Sequence, residues 1–190
     1  LIKRFVNYLS IIPVIGFNSG SYDLNIMKGP LLRYLEETDK LEYVIKRGSR
    51  LQCIATERFR FLDMMNYLTP GTSYAKYLQT FEAKAQKGFF PYDYINSLDR
   101  LDETRLPPRE AFHNSLTNQC LSEEDYEYCQ RVWKENRMTT MRDFLTWYNN
   151  LDVALFLEAI EKQTKIYSEQ RVDMFKDAIS IPGVAVRWMF

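Results

Sequence analysis

Two stretches of the sequence place carboxylates and other polar side chains at positions that suit an active site. In the first, an apolar run over residues 11–17 leads directly to Asn18 and then Asp23. A carboxylate at the end of a strand, beside the start of a helix, is well placed for an active site. In the second, Tyr148 and Asp152 are four residues apart in a predicted helix, so both side chains leave the same face.

The elements around the first stretch are predicted from apolar runs and turn residues. The strand should break at Gly16. Turn and N-cap residues follow it, namely Ser19, Gly20 and Ser21. A helix is then predicted from Tyr22 to about Glu37, with an interruption at Gly29–Pro30, because proline has no backbone N–H to donate.

The rest of the chain alternates between predicted strands and helices. Residues 42–63 are rich in strand formers and include a turn at residues 47–49, which favours a sheet of three or four strands. Helices are predicted over residues 1–9, from Thr72 or Ser73 to about Ala85, from Ser122 to about Glu135, and from Thr139 or Thr140 towards Gln170. Residues 87–108 read as an extended loop. The fold class is therefore α/β, a mixed sheet covered by helices.

The motifs resemble the exonuclease motifs of family B DNA polymerases. Gly-Phe-Asn-x3-Tyr-Asp at residues 16–23 and Tyr-x3-Asp at residues 148–152 are similar to the second and third of these motifs. Residues 60–68, 87–92 and 106–112 resemble the protein-primed branch, found in phages, linear plasmids and Polinton/Maverick elements. The resemblance covers essentially residues 1–190 and implies a partial 3′–5′ exonuclease domain that ends at the approach to the palm domain. The fold implied is ribonuclease-H-like, with its first strands lying before this chain.

The resemblance also implies roles for individual residues. Asp23 and Asp152 would bind the two Mg²⁺ or Mn²⁺ ions, and Tyr148 would orient the attacking water. Lys87 would neutralise charge near the scissile phosphate. The residues implied to contact DNA are Asn18 at the terminal nucleotide, and Phe17, Tyr22, Met64 and Met65 along the single strand. The implied partners are the 3′ end of single-stranded DNA, the rest of the polymerase chain and a terminal priming protein.

Each of these residues also has an ordinary interpretation. Taken alone, Asp23 could merely complement the dipole of its helix. Tyr148 and Asp152 could be a core tyrosine and a surface acid. The order and spacing of the motifs together favour the exonuclease interpretation.

The first exonuclease motif, Asp-x-Glu on a strand, is not found before the second motif. The one Asp-x-Glu in the chain is Asp125-Tyr-Glu127, which falls in a predicted helix. Residues two apart on a helix diverge by about 200° and cannot share an ion as strand residues do. Three hypotheses follow. The chain is a piece of a polymerase that works within the larger enzyme, an inactive domesticated relic acting as a DNA-binding or structural module, or an independent nuclease that obtains its carboxylates elsewhere.

The balance of charges and the cysteine count disfavour some classes of protein. Lys and Arg together number 25, as do Asp and Glu, so the net charge is zero and a general electrostatic binder of nucleic acid is disfavoured. A local cleft for a short single strand remains compatible with this balance. Three cysteines without metal spacing favour an intracellular, reducing compartment, nuclear or cytoplasmic. We expect no membrane partner, because no apolar run reaches about 18 residues.

Overall fold

A computed structural model describes residues 2–83, 88–116 and 118–189 of the chain. The chain divides into two compact units, which are described separately below. The first comprises Leu1–Phe81 together with Ile160–Phe190, and the second is Glu82–Ala159.

The first unit is built on a four-stranded mixed sheet. Its strands are β1 (Ile12–Gly16), β2 (Leu41–Arg47), β3 (Arg50–Thr56) and β4 (Phe59–Asp63). Their order in the sheet is β1-β4-β3-β2, with β1 parallel to β4 and the other two pairs antiparallel. The predicted turn at residues 47–49 does join β2 to β3, and Gly48 there has a φ of 62°, which glycine adopts without a steric penalty. The α/β class and the four strands are confirmed.

One face of the sheet packs against α2 (Asp23–Thr38). The buried apolar side chains of this layer are Leu24, Leu35, Leu51 and Ile54. A kink or a restart of the helix was expected at Pro30, and the restart is wrong, since α2 runs through this residue. Pro30 and the residues before it are exposed, so the carbonyl that loses its helical N–H partner can turn to water. The N-cap is Tyr22, which makes no side-chain capping bond, rather than Ser19 or Ser21.

The other face of the sheet packs against the segment that follows the last long helix. Arg60 on β4 donates hydrogen bonds to the carbonyls of Phe175 and Lys176, at 3.1 and 2.6 Å. The hydroxyl of the buried Tyr67 donates to the carbonyl of Ala178 at 2.9 Å. These bonds fasten a segment far away in the sequence to the end of the sheet.

Three further helices have boundaries that can be compared with the sequence. Helix α1 is Ile2–Ser10, as expected. Helix α3 is Tyr74–Thr80, capped by Ser73 as predicted, but it stops before the expected end near Ala85 because Glu82 has a φ of 49°. Helix α6, Ile181–Met189, was not anticipated from the apolar tail.

The second unit is helical and has its own apolar core. Its helices are α4 (Glu123–Glu135) and the part of α5 (Met141–Ser168) that precedes residue 160. The N-cap of α4 is Ser122, as the sequence predicted. The buried residues of the core are Phe112, Cys129, Val132, Met138, Met141 and Phe144. The expected loop over residues 87–108 contains two short 3-10 helices, Tyr92–Tyr94 and Leu98–Asp102.

Candidate functional site

The first candidate residues lie in the loop that joins β1 to α2. Asn18 is half-buried and has a φ of 56°, in the left-handed region that asparagine tolerates better than most residues. Asp23 is the first residue of α2 and is exposed. An exposed carboxylate at this point sits at the positive end of the helix dipole, where a negative charge stabilises the helix. The sequence prediction placed both residues correctly.

A carboxylate that the sequence analysis passed over holds this loop in place. Asp63, at the end of β4, is completely buried. Its Oδ2 accepts hydrogen bonds from the amide of Gly20 at 3.0 Å and from Nη2 of Arg50 at 2.7 Å. Its Oδ1 accepts from the amide of Met65 at 2.9 Å. Asp63 is therefore committed to three donors and positions the loop that carries Asn18.

Gly20 is the point where the loop touches the sheet. Its carbonyl accepts from the amide of Leu51 at 3.0 Å and from Nδ2 of Asn25 at 2.8 Å. A Cβ built on Gly20 would lie 1.9 Å from the carbonyl oxygen of Leu51 and 2.9 Å from Oδ2 of Asp63. Only glycine allows this approach, so residue 20 is fixed by packing and not by turn chemistry alone.

The four residues expected along the single strand are not equally accessible. Phe17 is half-buried, with its ring edge-on to Tyr74 at 5.1 Å. Tyr22 is 64% exposed, and Met65 is half-buried. Met64 is completely buried in the core. The expectation that Met64 contacts single-stranded DNA is therefore wrong, because no part of its side chain is exposed to solvent.

In the second unit, the predicted pair Tyr148 and Asp152 is brought together on one face of α5. The Tyr148 hydroxyl is hydrogen-bonded to the side chains of Tyr92 and Asp152. Burial, then the Tyr92 hydroxyl and the Asp152 carboxylate, raise the pKa of Tyr148 well above its ordinary value. The phenol consequently stays protonated at neutral pH, where it can donate a hydrogen bond but cannot act as a base.

Aromatic rings surround the Tyr148 hydroxyl. Phe90 lies 5.5 Å and Tyr92 lies 5.9 Å from the Tyr148 ring, measured between centroids. Gly88 approaches α5 closely, since a Cβ there would meet the ring of Tyr148 at 3.0 Å. The segment after residue 87 is thus packed tightly onto the helix that carries Tyr148 and Asp152. Lys87 itself lies outside the described residues.

The residues present do not by themselves fit a two-ion site. Over the described ranges, no group of three or more His, Cys, Asp or Glu side chains is arranged to hold a metal ion. Asp23 and Asp152 offer one carboxylate each. Hard divalent cations need several oxygen ligands, so further carboxylates would have to be supplied to both.

Comparison with known proteins finds no relative of this chain. No protein-family model matches the chain, and neither does any curated protein or solved structure. Within the described residues, no helix combines the length and apolar character needed to span a membrane. The three cysteines are free thiols, with Cys53 and Cys129 buried and Cys120 exposed.

Proposed function

We propose that this chain is part of a protein-primed family B DNA polymerase and supplies most of its proofreading 3′–5′ exonuclease domain. The observation that carries the proposal is the parallel pairing of β1 with β4, which brings Gly16 opposite Asp63 at the ends of the two strands. The chain then passes through Asn18 to Asp23 at the start of α2. Sites in α/β proteins lie at the carboxyl ends of parallel strands. The order Gly-Phe-Asn-x3-Tyr-Asp falls on this edge.

The edge position of β1 supports a ribonuclease-H-like fold with further strands. In the described part of the chain, β1 is paired only with β4, and its Ile12 and Val14 side chains are 52% and 39% exposed. The proposal places the strand that carries Asp-x-Glu along this edge. Such a strand would pair with the open backbone edge of β1 and supply the carboxylates that the described residues lack.

In the proposed reaction, water attacks the terminal phosphodiester in line, and the oxygen of the preceding nucleotide leaves. A pair of divalent ions would activate the water and stabilise the leaving oxygen. The described residues do not complete such a site, so we propose roles only for the side chains of this chain. Asn18 contacts the terminal nucleotide, Tyr148 orients the attacking water, and Asp23 and Asp152 contribute carboxylates.

Exonuclease assays on two chain lengths test the proposal. The chain of 190 residues should show negligible Mg²⁺-dependent hydrolysis of 3′-labelled single-stranded DNA. A longer product of the same reading frame, including an upstream Asp-x-Glu, should hydrolyse it. Asp23→Ala should abolish that activity, whereas Glu36→Ala, which removes an exposed carboxylate from the same helix, should not.

Two outcomes would contradict the proposal, and each favours another hypothesis. Robust hydrolysis by the 190-residue chain, lost in Asp152→Ala, would indicate an independent nuclease. Binding of single-stranded DNA without hydrolysis by either chain length would indicate an inactive relic that serves as a binding module.

A further inference from the structure

The second unit contains a pocket that Tyr148 lines on one side and that extends to residues with no role in the proposed reaction. Its volume is about 470 Å³, within the range of small-molecule sites. Five aromatic side chains contribute to its lining, namely Phe89, Phe90, Tyr92, Phe112 and Tyr148. Tyr92 is 62% exposed, which is unusual for a ring that also packs against Phe90 at 5.3 Å. An open aromatic surface of this kind suits the flat face of a nucleobase, which stacks on such rings.

Among the described residues, the polar part of the lining favours a neutral ring over a phosphate as the ligand. It is formed by Asn114, Gln119, Cys120, Ser122 and Asp125. No lysine or arginine belongs to the lining in the described part of the chain, and Asp125 is the carboxylate there. A phosphate in this pocket would meet a negative charge with no cation to offset it. A neutral ring with N–H donors would meet amides and a carboxylate that can accept from it.

Asp125 is held in a fixed orientation at the start of α4. The hydroxyl of Ser122 donates to Oδ2 of Asp125 at 2.7 Å, and the amide of Asp125 donates to the same hydroxyl at 3.1 Å. The side chain is half-buried. Because Oδ2 is occupied by Ser122, Oδ1 is the oxygen through which the carboxylate can accept from a ligand. A carboxylate is a matched acceptor for an exocyclic amino group such as N4 of cytosine.

We propose that this pocket binds one unpaired nucleobase of a DNA strand and selects bases that carry an exocyclic amino group. The base stacks on the aromatic lining, its amino group donates to Asp125, and its phosphate stays outside. Cytosine, adenine and guanine are therefore bound in preference to thymine, which has no amino group. This inference about the pocket rests on the proposed function in one respect, namely that single-stranded DNA is the substrate.

The test compares short oligonucleotides of deoxycytidine and of thymidine, equal in length and without metal, on the 190-residue chain. Mildly alkaline buffer keeps cytosine unprotonated. The deoxycytidine strand should bind about tenfold more tightly or better, the effect expected for one hydrogen bond to a charged acceptor. Asp125→Asn keeps the shape and the bond from Ser122 and should bring the affinity ratio close to one. Glu124→Gln makes the same charge change on the neighbouring exposed residue and should keep the ratio.

Cys120 provides a second readout because it lines the pocket and is exposed. The deoxycytidine strand should slow alkylation of Cys120 more than the thymidine strand does. Cys53 and Cys129 are internal controls, since burial raises their pKa values to about 11 and about 12 and leaves them unreactive in the folded chain.

Equal affinity for the two strands, an unchanged ratio in Asp125→Asn, or alkylation of Cys120 that neither strand slows would overturn the inference. These outcomes are distinct from failure of the proposed function. A longer chain that hydrolyses DNA without a base preference would contradict the pocket alone. A base preference at Asp125 in a chain that never hydrolyses DNA would contradict the exonuclease proposal alone.

Discussion

The amide of Gly20 donates a 3.0 Å hydrogen bond to Oδ2 of Asp63, a residue 43 positions further along the chain. This bond ties the loop that carries Asn18 to the end of β4. Arg50 donates to the same oxygen from the side of β3, and the resulting ion pair is buried on the Asp63 side. The loop that starts α2 is thereby positioned by two strands and not by its own turn residues.

Replacing Gly20 with alanine should destabilise the first unit. The new Cβ would lie 1.9 Å from a backbone oxygen of Leu51, which cannot move without disturbing β3. We expect Gly20→Ala to lower the free energy of unfolding by about 3 kcal/mol, measured by urea denaturation. The matched control is Gly29→Ala in α2, where a Cβ would meet no heavy atom within 4 Å. That variant should change stability by less than about 1 kcal/mol, because the helix preference of alanine is offset by crowding of its Cβ against the ring of Pro30. Equal effects at the two glycines would contradict the packing account.

Asp63→Asn should destabilise the chain by about 2 kcal/mol, because the amide keeps one acceptor for three donors and leaves Arg50 without its charge partner. Urea denaturation measures the effect. Asp99→Asn, at an exposed carboxylate in the 3-10 helix Leu98–Asp102, serves as the control and should change stability little. If the two variants were equally stable, Asp63 would not be the anchor of the loop.

Stability should fall as the pH rises above 9, because of the two buried thiols. Burial raises the pKa of Cys53 from 9.0 to about 11 and that of Cys129 from 9.0 to about 12. For each thiol, at a pH between 9.0 and its pKa in the folded chain, the unfolded chain has lost a proton that the folded chain retains. The folded state therefore binds more protons, and unfolding becomes easier as the pH rises. Each thiol contributes a slope of roughly 1.4 kcal/mol per pH unit at most.

Urea denaturation across this alkaline range checks the thiol prediction. Cys53→Ala and Cys129→Ala should each flatten the decline, whereas Cys120→Ala, which removes an exposed thiol, should not. The tyrosines are common to all three variants, so differences in slope report the thiols. An unchanged slope in both buried-site variants would refute the assignment.

Local signals predicted much of the fold, and long-range contacts account for what they missed. Ser73 and Ser122 were read correctly as caps, since a cap is defined by its neighbours in sequence. Pro30 was misread, because α2 tolerates it on an exposed side that the sequence does not reveal. Met64 was assigned to DNA contacts by the resemblance, whereas its side chain is completely buried.

In the candidate site, too, local features were predictable from the sequence and long-range contacts were not. Asp23, Tyr148 and Asp152 were proposed as site residues from the family resemblance, and the Tyr148–Asp152 hydrogen bond follows from the helical repeat. The signal available for Asp63 was that it is an acidic residue at the end of a predicted strand. Its partner Gly20 could not be read from the sequence, because their contact depends on the order of strands in the sheet.

The most direct test of the account is a double-mutant cycle in the longer chain that the proposed function requires, measuring exonuclease and polymerisation rates together. Asp23→Ala and Asp152→Ala should each reduce the exonuclease rate by roughly two orders of magnitude or more, and the double variant should be no slower than the single ones, since residues that serve one chemical step are not additive. Polymerisation should be unaffected, and Glu36→Ala and Glu161→Ala should behave as the unmodified chain. Additive losses, or a parallel loss of polymerisation, would contradict the account.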